Sequence, residues 1–175
     1  MMNPVEEDRA YAACKHKDKQ RSWDAYFMGM AAYVATRSKD PSTHVGAVVV
    51  GPDNRIRSTG YNGFPAGVQE LSERYERRGL KLGFSEHAER NACFGAARTG
   101  VALEGCTIYV HGLKPCADCA RAIIQSGIAR VVISDDAMPQ RWESSMLMGE
   151  QMLDEAGVTV DVVKPTDNLD YPQGA

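Results

Sequence analysis

The first clear pattern of apolar positions begins just after Ser22. Five apolar residues recur there at intervals of a few positions, which places them on one face of an α-helix. They are Trp23, Tyr26, Phe27, Met30 and Val34. Ser22 is a favourable helix-capping residue, and Asp40-Pro41 ends the pattern. We therefore predict a helix from Ser22 onward, with this aromatic face packed in the core.

β-Branched residues dominate the next pattern. Residues 45–50 form a short apolar run, and the turn signal Gly51-Pro52-Asp53-Asn54 separates it from a second candidate strand over residues 56–61. Two strands around a tight turn predict a β-hairpin. The connection that follows, residues 62–85, is polar, and its charged middle over 70–78 is compatible with a short helix. A connection of this length is often functional.

Helical and strand patterns alternate over the rest of the chain. The predicted helices cover residues 86–98, 115–127 and 142–155, and the predicted strands cover residues 106–110, 130–133 and 158–163. His87 and Glu89 fall in the first turn of one helix, and Pro115 falls in the first turn of the next. This order predicts an α/β protein with a mixed sheet of about five strands, which helices cover on both faces in three α/β/α layers.

Length and composition indicate one domain. A chain of 175 residues that is 43% hydrophobic can bury a proper core, but it is too short for two domains of usual size. We expect a solvated N-terminal arm over residues 1–21, a single domain over residues 22–164 and a disordered tail over residues 165–175.

Charge and hydropathy narrow the possible partners. A net charge of -3 argues against a nucleic-acid partner, because binding a phosphate backbone needs a clustered cationic surface. The chain has neither an apolar run near 18 residues nor an early basic-then-apolar segment with a cleavage site, so we expect no membrane insertion and no export. A small substrate and a cytoplasmic location are the predictions that remain.

The cysteines point to metal chemistry in a reducing compartment. Their number, five, is odd, and two of them have the spacing of metal ligands. We predict that the other three, Cys14, Cys93 and Cys106, are free thiols.

Three residues form a candidate zinc site. His87, Cys116 and Cys119 offer an imidazole and two sulfur ligands, and three protein ligands with one open position are typical of a catalytic zinc ion. A Cys-x-x-Cys pair alone also occurs in redox sites and structural zinc knuckles. A second such pair, which a structural site would use, is absent from the sequence, so the combination with His87 favours a catalytic Zn2+ site.

Glu89 has the position of a general acid/base. It lies two residues after His87, near the open position of the metal, without being a ligand itself. A carboxylate at a helix start can also simply complement the helix dipole. The combination of His-x-Glu with Pro-Cys-x-x-Cys is the pattern of zinc-dependent nucleobase deaminases.

Several further stretches resemble the deoxycytidylate (dCMP) deaminase family, within the cytidine-deaminase-like zinc enzymes. The similarity spans about residues 28–163. Besides the zinc motifs, the resemblance rests on residues 37–43 leading into Val45-Gly46-Ala47, on residues 60–65 and on residues 123–128. It implies the cytidine-deaminase-like fold and hydrolytic deamination of dCMP to dUMP, a step of pyrimidine deoxynucleotide metabolism.

The resemblance also implies roles for individual residues. Asn62 is expected to bond the sugar, and the segment that contains Arg37 and Ser42 is expected to lie near the 5′-phosphate. Asn62 is equally a good turn residue before Gly63, and Arg37 is equally a favourable cation at a helix end.

Arg98 matches an arginine that some family members use in responding to nucleoside triphosphates, although it also suits a helix C-terminus. The family further implies a homo-oligomer, from dimer to hexamer. The segment 111–114, before Pro115, departs from the family pattern, and we expect it to border the pocket.

Related reactions remain as alternatives. The same zinc chemistry acts in related enzymes on cytidine, guanine, a 5-modified dCMP or adenosine in tRNA, and the acidic balance of this chain argues against tRNA. A non-catalytic nucleotide-binding regulator with the same fold is an alternative of a different class. Glu89 distinguishes the two classes, because a binding protein has no need of that carboxylate.

Overall fold

The computed structural model describes residues 22–135 and 139–163. In chain order the elements are α1 (Trp23–Ala35), β1 (Gly46–Val50), β2 (Ile56–Tyr61), α2 (Ser72–Glu76), α3 (Arg78–Phe84), α4 (Ala88–Thr99), β3 (Thr107–His111), α5 (Ala117–Gln125), β4 (Arg130–Ser134), a 3-10 helix (Gln140–Trp142), α6 (Glu143–Glu155) and β5 (Thr159–Val163). The predicted arm, the predicted tail and Cys14 lie outside these residues, so the domain limits stay predictions.

The five strands form one mixed sheet in the order β2-β1-β3-β4-β5. β1 is antiparallel to both β2 and β3, whereas β3, β4 and β5 run parallel to one another. The hairpin, the crossovers and the strand number confirm the prediction from the sequence. β1 is buried at every position, as expected of a strand with helices on both faces.

Alternate strand residues face two separate apolar layers. On one face, α1 places Phe27 and Met28 against Val48 and Tyr109. On the other face, α4 and α5 pack against the intervening positions of β1, β3 and β4. The two layers confirm the three-layer arrangement and the cytidine-deaminase-like fold class.

Two glycines allow the helices to approach the sheet closely. A Cβ atom on Gly46 would lie 2.0 Å from the carbonyl oxygen of Ala31 in α1, and a Cβ atom on Gly60 would lie 2.2 Å from the carbonyl oxygen of Ala88 in α4. Both distances are far shorter than any ordinary contact. Each helix therefore lies against bare backbone at these positions.

The buried face of α1 differs from the prediction. Phe27 is buried, but Trp23 and Tyr26 are 54% and 44% exposed, and Met30 and Val34 are half-buried. The core instead receives the small residues Ala31 and Ala35 with Phe27 and Met28. The close approach at Gly46 explains the difference, because an aromatic stripe would hold the helix too far from the sheet.

A polar cluster joins the first turn of α1 to the parallel strands. Asp24 accepts a hydrogen bond from the Tyr109 hydroxyl at 2.8 Å and two from the Arg130 guanidinium at 2.8 and 2.9 Å. Arg130 also donates to Asp161 at 2.7 Å. The hydrogen bonds from Arg130, followed by the one from Tyr109, hold the pKa of Asp24 below its usual value although burial opposes this. The cluster thus contacts three neighbouring strands.

Two further findings complete the fold. Ser22 caps α1 as predicted, since its Oγ accepts a hydrogen bond from the Ala25 amide at 3.2 Å. Within residues 22–135 and 139–163, no helix is long and apolar enough to cross a membrane.

Candidate active site

The chain leaves β2 and β3 at the same end of the strands. Tyr61 at the end of β2 and His111 at the end of β3 both lie opposite Gly46, the first residue of β1. α4 and α5 follow these loops, and their first residues carry the predicted metal ligands. His87 is the N-cap residue of α4 and Cys116 is the N-cap residue of α5, so each helix begins two residues later than predicted.

Backbone contacts fix the starts of both helices. Gly63 and Glu86 exchange two backbone hydrogen bonds, of 3.0 and 2.8 Å, which place His87 directly beside the end of β2. The Glu86 side chain also accepts a hydrogen bond from the His87 amide at 3.0 Å. At the second helix, Ser145 of α6 accepts a hydrogen bond from the Ala117 amide at 3.3 Å.

The three ligand atoms converge. Nδ1 of His87 lies 3.5 Å from Sγ of Cys116 and 3.3 Å from Sγ of Cys119. A tetrahedral zinc ion, with bonds of about 2.0 Å to nitrogen and about 2.3 Å to sulfur, requires a nitrogen–sulfur separation of roughly 3.5 Å. The observed spacing therefore fits a zinc ion bound by these three residues. Within the described part of the chain, they are the one group of His, Cys, Asp or Glu side chains that converges in this way.

The cluster favours a thiolate, the form that binds metal. The hydrogen bond from Cys119, together with the neighbouring His87, lowers the pKa of Cys116 to about 3, although burial opposes this. The hydrogen bond to Cys116 in turn raises the pKa of His87 to about 9. The same cysteine pair and burial raise the pKa of the Cys119 thiol. Of the two cysteines, Cys116 is therefore the one whose surroundings favour the thiolate.

Glu89 is buried beside the ligands. It lies in the first turn of α4, only 3% exposed, and burial raises its pKa although the nearby His87 charge opposes the shift. Buried carboxyl groups are uncommon because they lose hydration, and a raised pKa brings such a group closer to neutral pH, where it can both accept and donate protons. Glu89 therefore has the environment of a general acid/base.

A cavity of about 450 Å³ opens above these residues. Its volume is in the range of small-molecule sites. His87, Ala88, Glu89 and Cys116 form its floor, and besides Val45 and Asn62 its walls come from four other parts of the chain. These are the loop 40–43, the segment 75–85, residues Leu113 and Lys114, and residues Arg141, Trp142 and Met146. The lining by Leu113 and Lys114 confirms that the segment before Pro115 borders the pocket.

Comparisons with known proteins agree with this site. Residues 21–135 match the family described as "Cytidine and deoxycytidylate deaminase zinc-binding region". The chain belongs to the cytidine and deoxycytidylate deaminase family. The match includes His87, Glu89, Cys116 and Cys119, so the family assignment and the convergent ligands concern the same residues.

This member of the deaminase family has relatives that match it over most of its length. A deoxycytidylate deaminase of Pongo abelii is 38% identical over 84% of this chain and 83% of its own. An uncharacterized deaminase of Aliivibrio fischeri is 41% identical over 79% of this chain and 91% of its own. A crystal structure of the dCMP deaminase from cyanophage S-TIM5 in apo form covers 80% of this chain and 96% of its own, with 26% identity and a TM-score of 0.62.

Asn62 and Ser42, two of the three residues predicted to bind substrate, line the cavity of this deaminase. The Asn62 side chain joins two parts of the loop after α1: it accepts a hydrogen bond from the Val45 amide at 2.8 Å and donates one to the Thr43 carbonyl at 2.9 Å. Each polar atom of the amide retains capacity for one further bond. Their contacts with substrate stay predictions.

Arg37 and Arg98 lie away from the cavity. Arg37 is exposed just after α1 and is not among the lining residues, so the cavity gives no support to its predicted phosphate contact. Arg98 is exposed in the last turn of α4, at the opposite end of the helix from His87 and Glu89. Its role stays a prediction.

The sequence alone did not identify a large part of the cavity wall. The connection 62–85, which was expected to hold one short helix, contains both α2 and α3, and Arg78 and Lys81 of α3 line the cavity with Arg141 and Trp142. The length and charge of this connection were the only signals. They indicated function without indicating which residues face the site.

Proposed function

We propose that this chain is a zinc-dependent hydrolase that converts dCMP to dUMP and ammonia in pyrimidine deoxynucleotide metabolism. The observation that carries the proposal is the buried Glu89 beside three convergent zinc-type ligands, at the floor of a cavity of small-molecule size. The choice of dCMP follows from relatives that are called deoxycytidylate deaminase and match this chain over most of its length.

His87, Cys116 and Cys119 would hold one zinc ion per chain. When bound, zinc supplies Lewis acidity that makes a water molecule a usable nucleophile near neutral pH. The N-termini of α4 and α5 both lie at this site, and their dipoles favour the negative charge of thiolate and carboxylate groups. The two helix N-termini therefore favour the thiolate form in which cysteine binds zinc.

Glu89 would carry out the proton transfers. It accepts a proton from water as the water oxygen adds to the ring carbon that bears the amino group, and it delivers that proton to the adjacent ring nitrogen. In a second transfer Glu89 takes the proton of the hydroxyl group now on the ring carbon and delivers it to the amino group. The carbon–nitrogen bond then breaks, ammonia leaves and a carbonyl group remains. Burial suits Glu89 to both directions of transfer, because it raises the pKa of the carboxyl group.

Asn62 and Ser42 are the proposed substrate contacts in the loop beside β1. Asn62 would bond the deoxyribose, for which its position in the lining and its remaining hydrogen-bonding capacity are the support. Ser42 would lie near the 5′-phosphate, and its hydroxyl already accepts a hydrogen bond from Lys81 at 2.6 Å. Arg37 is retained only as a prediction from family resemblance.

An ammonia-release assay across a substrate panel tests the proposed function. The panel contains dCMP, CMP, deoxycytidine, 5-methyl-dCMP, dCTP and guanine, and dCMP is expected to have the highest kcat/KM. A higher value for deoxycytidine, guanine or 5-methyl-dCMP would assign that substrate instead. Nucleotide binding without any release of ammonia would favour a non-catalytic regulator.

We also propose a cytoplasmic homo-oligomer in which Arg98 takes part in regulation by nucleoside triphosphates. Support for the oligomer comes from α1. On its outer face, Trp23, Tyr26 and Tyr33 are 54%, 44% and 64% exposed to solvent. Large aromatic groups on one exposed helix face are typical of a protein interface. The mass in solution, and kinetics of wild type and Arg98→Glu with dCTP and dTTP, test the two parts separately.

A further inference from the structure

Charged residues other than the metal ligands and Glu89 also line the cavity, and they are here called its cationic rim. They comprise four positively charged residues and two carboxylates. They are Arg78, Lys81, Lys114 and Arg141, with Asp40 and Glu76. A small cavity with more cations than carboxylates attracts an anionic group, because its low-dielectric walls strengthen the field.

The existing contacts show which of these cations are available to a ligand. Lys81 donates to Asp40 at 3.0 Å and to Ser42 at 2.6 Å, so its charge is already paired. Lys114 lies 4.0 Å from Glu150, a long contact. Among the described residues, Arg78 and Arg141 form no ion pair at all. Two unpaired guanidinium groups beside a cavity are suited to a phosphate, which they can bind through two hydrogen bonds each.

Folding, and not local sequence, brings the two arginines to one cavity. Arg78 is the first residue of α3, whereas Arg141 lies in the 3-10 helix before α6. The α3 segment is held in place from two sides. Lys81 fastens it to the loop at Asp40, and the ring of Phe64 stacks on the ring of Tyr75 in α2 at 4.4 Å between centroids.

We propose that Arg78 and Arg141 bind the 5′-phosphate of the substrate and thereby select a nucleoside monophosphate over the nucleoside. This inference rests on the proposed function for the reaction at the zinc site. Lys81 acts as a positioning residue, because its contacts with Asp40 and Ser42 hold α3 against the loop that carries Ser42. The charged contacts with the phosphate then come from α3 and the 3-10 helix, beside Ser42.

Single and double substitutions to Gln test this assignment on the full chain with zinc. A charge-assisted hydrogen bond is typically worth about a tenfold to hundredfold change in affinity. Arg78→Gln and Arg141→Gln are therefore each expected to reduce the preference for dCMP over deoxycytidine, measured as the ratio of their kcat/KM values, by about tenfold or more. The reduction should come from a higher KM for dCMP. Arg77→Gln is the matched control, since Arg77 precedes Arg78 but does not line the cavity.

Binding of the product dUMP gives a second readout that needs no turnover. Titration calorimetry is expected to give weaker dUMP binding for both variants and little change for Arg77→Gln. The wild type is expected to bind inorganic phosphate much more weakly than dUMP.

If the wild type deaminates dCMP but both variants keep its substrate ratio and dUMP affinity, the phosphate assignment is wrong and the proposed function stands. If the wild type does not deaminate dCMP, the proposed function fails, and unchanged dUMP binding by the variants would overturn the assignment as well. Phosphate binding as tight as dUMP binding would indicate a general anion site and contradict selection of nucleotides.

Discussion

Replacing Gly60 by Ala would move the catalytic helix. The added Cβ atom would lie 2.2 Å from the carbonyl oxygen of Ala88 and 2.5 Å from the amide nitrogen of Ala92, whereas real Cβ contacts are essentially never shorter than 3.0 Å. Both neighbours are backbone atoms of α4, so no side chain can rotate away. The start of α4 must therefore move from β2 by at least 0.8 Å.

That displacement acts directly on the active site. Ala88 lies between His87 and Glu89, so the metal ligand and the proposed acid/base move with it. A misplacement of about 1 Å in an active site can lower the rate about 10²-fold. Overpacking a tight contact typically also lowers the free energy of unfolding by about 1–3 kcal/mol. We expect both effects, together with faster loss of zinc to a chelator.

Gly46→Ala is the matched control on the opposite face of the sheet. Its Cβ atom would lie 2.0 Å from the carbonyl oxygen of Ala31, so a similar loss of unfolding free energy is expected, but α1 carries no zinc ligand. Urea unfolding, dCMP turnover per folded molecule and zinc release would be measured for both variants. If Gly60→Ala were destabilised like Gly46→Ala and yet kept wild-type kcat and zinc retention, contact at Gly60 would not determine the position of the site.

Three further predictions concern the metal, the acid/base and a stabilising ion pair. Elemental analysis should find about one zinc per chain, and Cys119→Ser should lose most of it because two ligands bind zinc far more weakly than three; retention of zinc by this variant would exclude the proposed site. Glu89→Gln should keep zinc and fold but lose at least about 10³-fold in kcat, so a tenth of wild-type activity would contradict proton transfer by Glu89. Asp24→Asn should lower the free energy of unfolding by about 1 kcal/mol at pH 7, an amount already reduced for solvent screening. Because the pKa of Asp24 is lowered in the folded state, Asp24 stabilises the fold fully above its unfolded-state pKa, and this stabilisation is lost as the pH falls through the folded-state pKa. Equal losses of unfolding free energy in Asp24→Asn at pH 7 and at pH 3 would refute this cause.

The zinc site was predictable from the sequence because its chemistry restricts residue type. Few patterns place a histidine, a nearby glutamate and a Cys-x-x-Cys pair at predicted helix starts, and the structure brings His87, Cys116 and Cys119 together. The strands were predictable for a related reason, since alternation and β-branched runs have few other interpretations.

The orientation of α1 and the cavity rim were not predictable in this way. α1 is apolar around most of its circumference, so spacing could not distinguish the face that meets Gly46 from the face that carries Trp23 and Tyr26. Arg78 and Arg141 reach one cavity only through long-range packing of the segments that hold them. Periodicity describes one helix or strand at a time and gives no information on which distant segments come into contact.

The segment that contains α2 and α3 can affect which substrates bind without contributing much to the stability of the fold. It supplies one wall of the cavity, yet neither helix buries a side chain, and no residue from Pro65 to His87 belongs to the core. Substitutions there can alter which substrates enter at little cost to folding, whereas most changes in a core reduce stability. For protein engineering, this segment is the natural place to randomise a library, and the zinc site can remain constant beneath it.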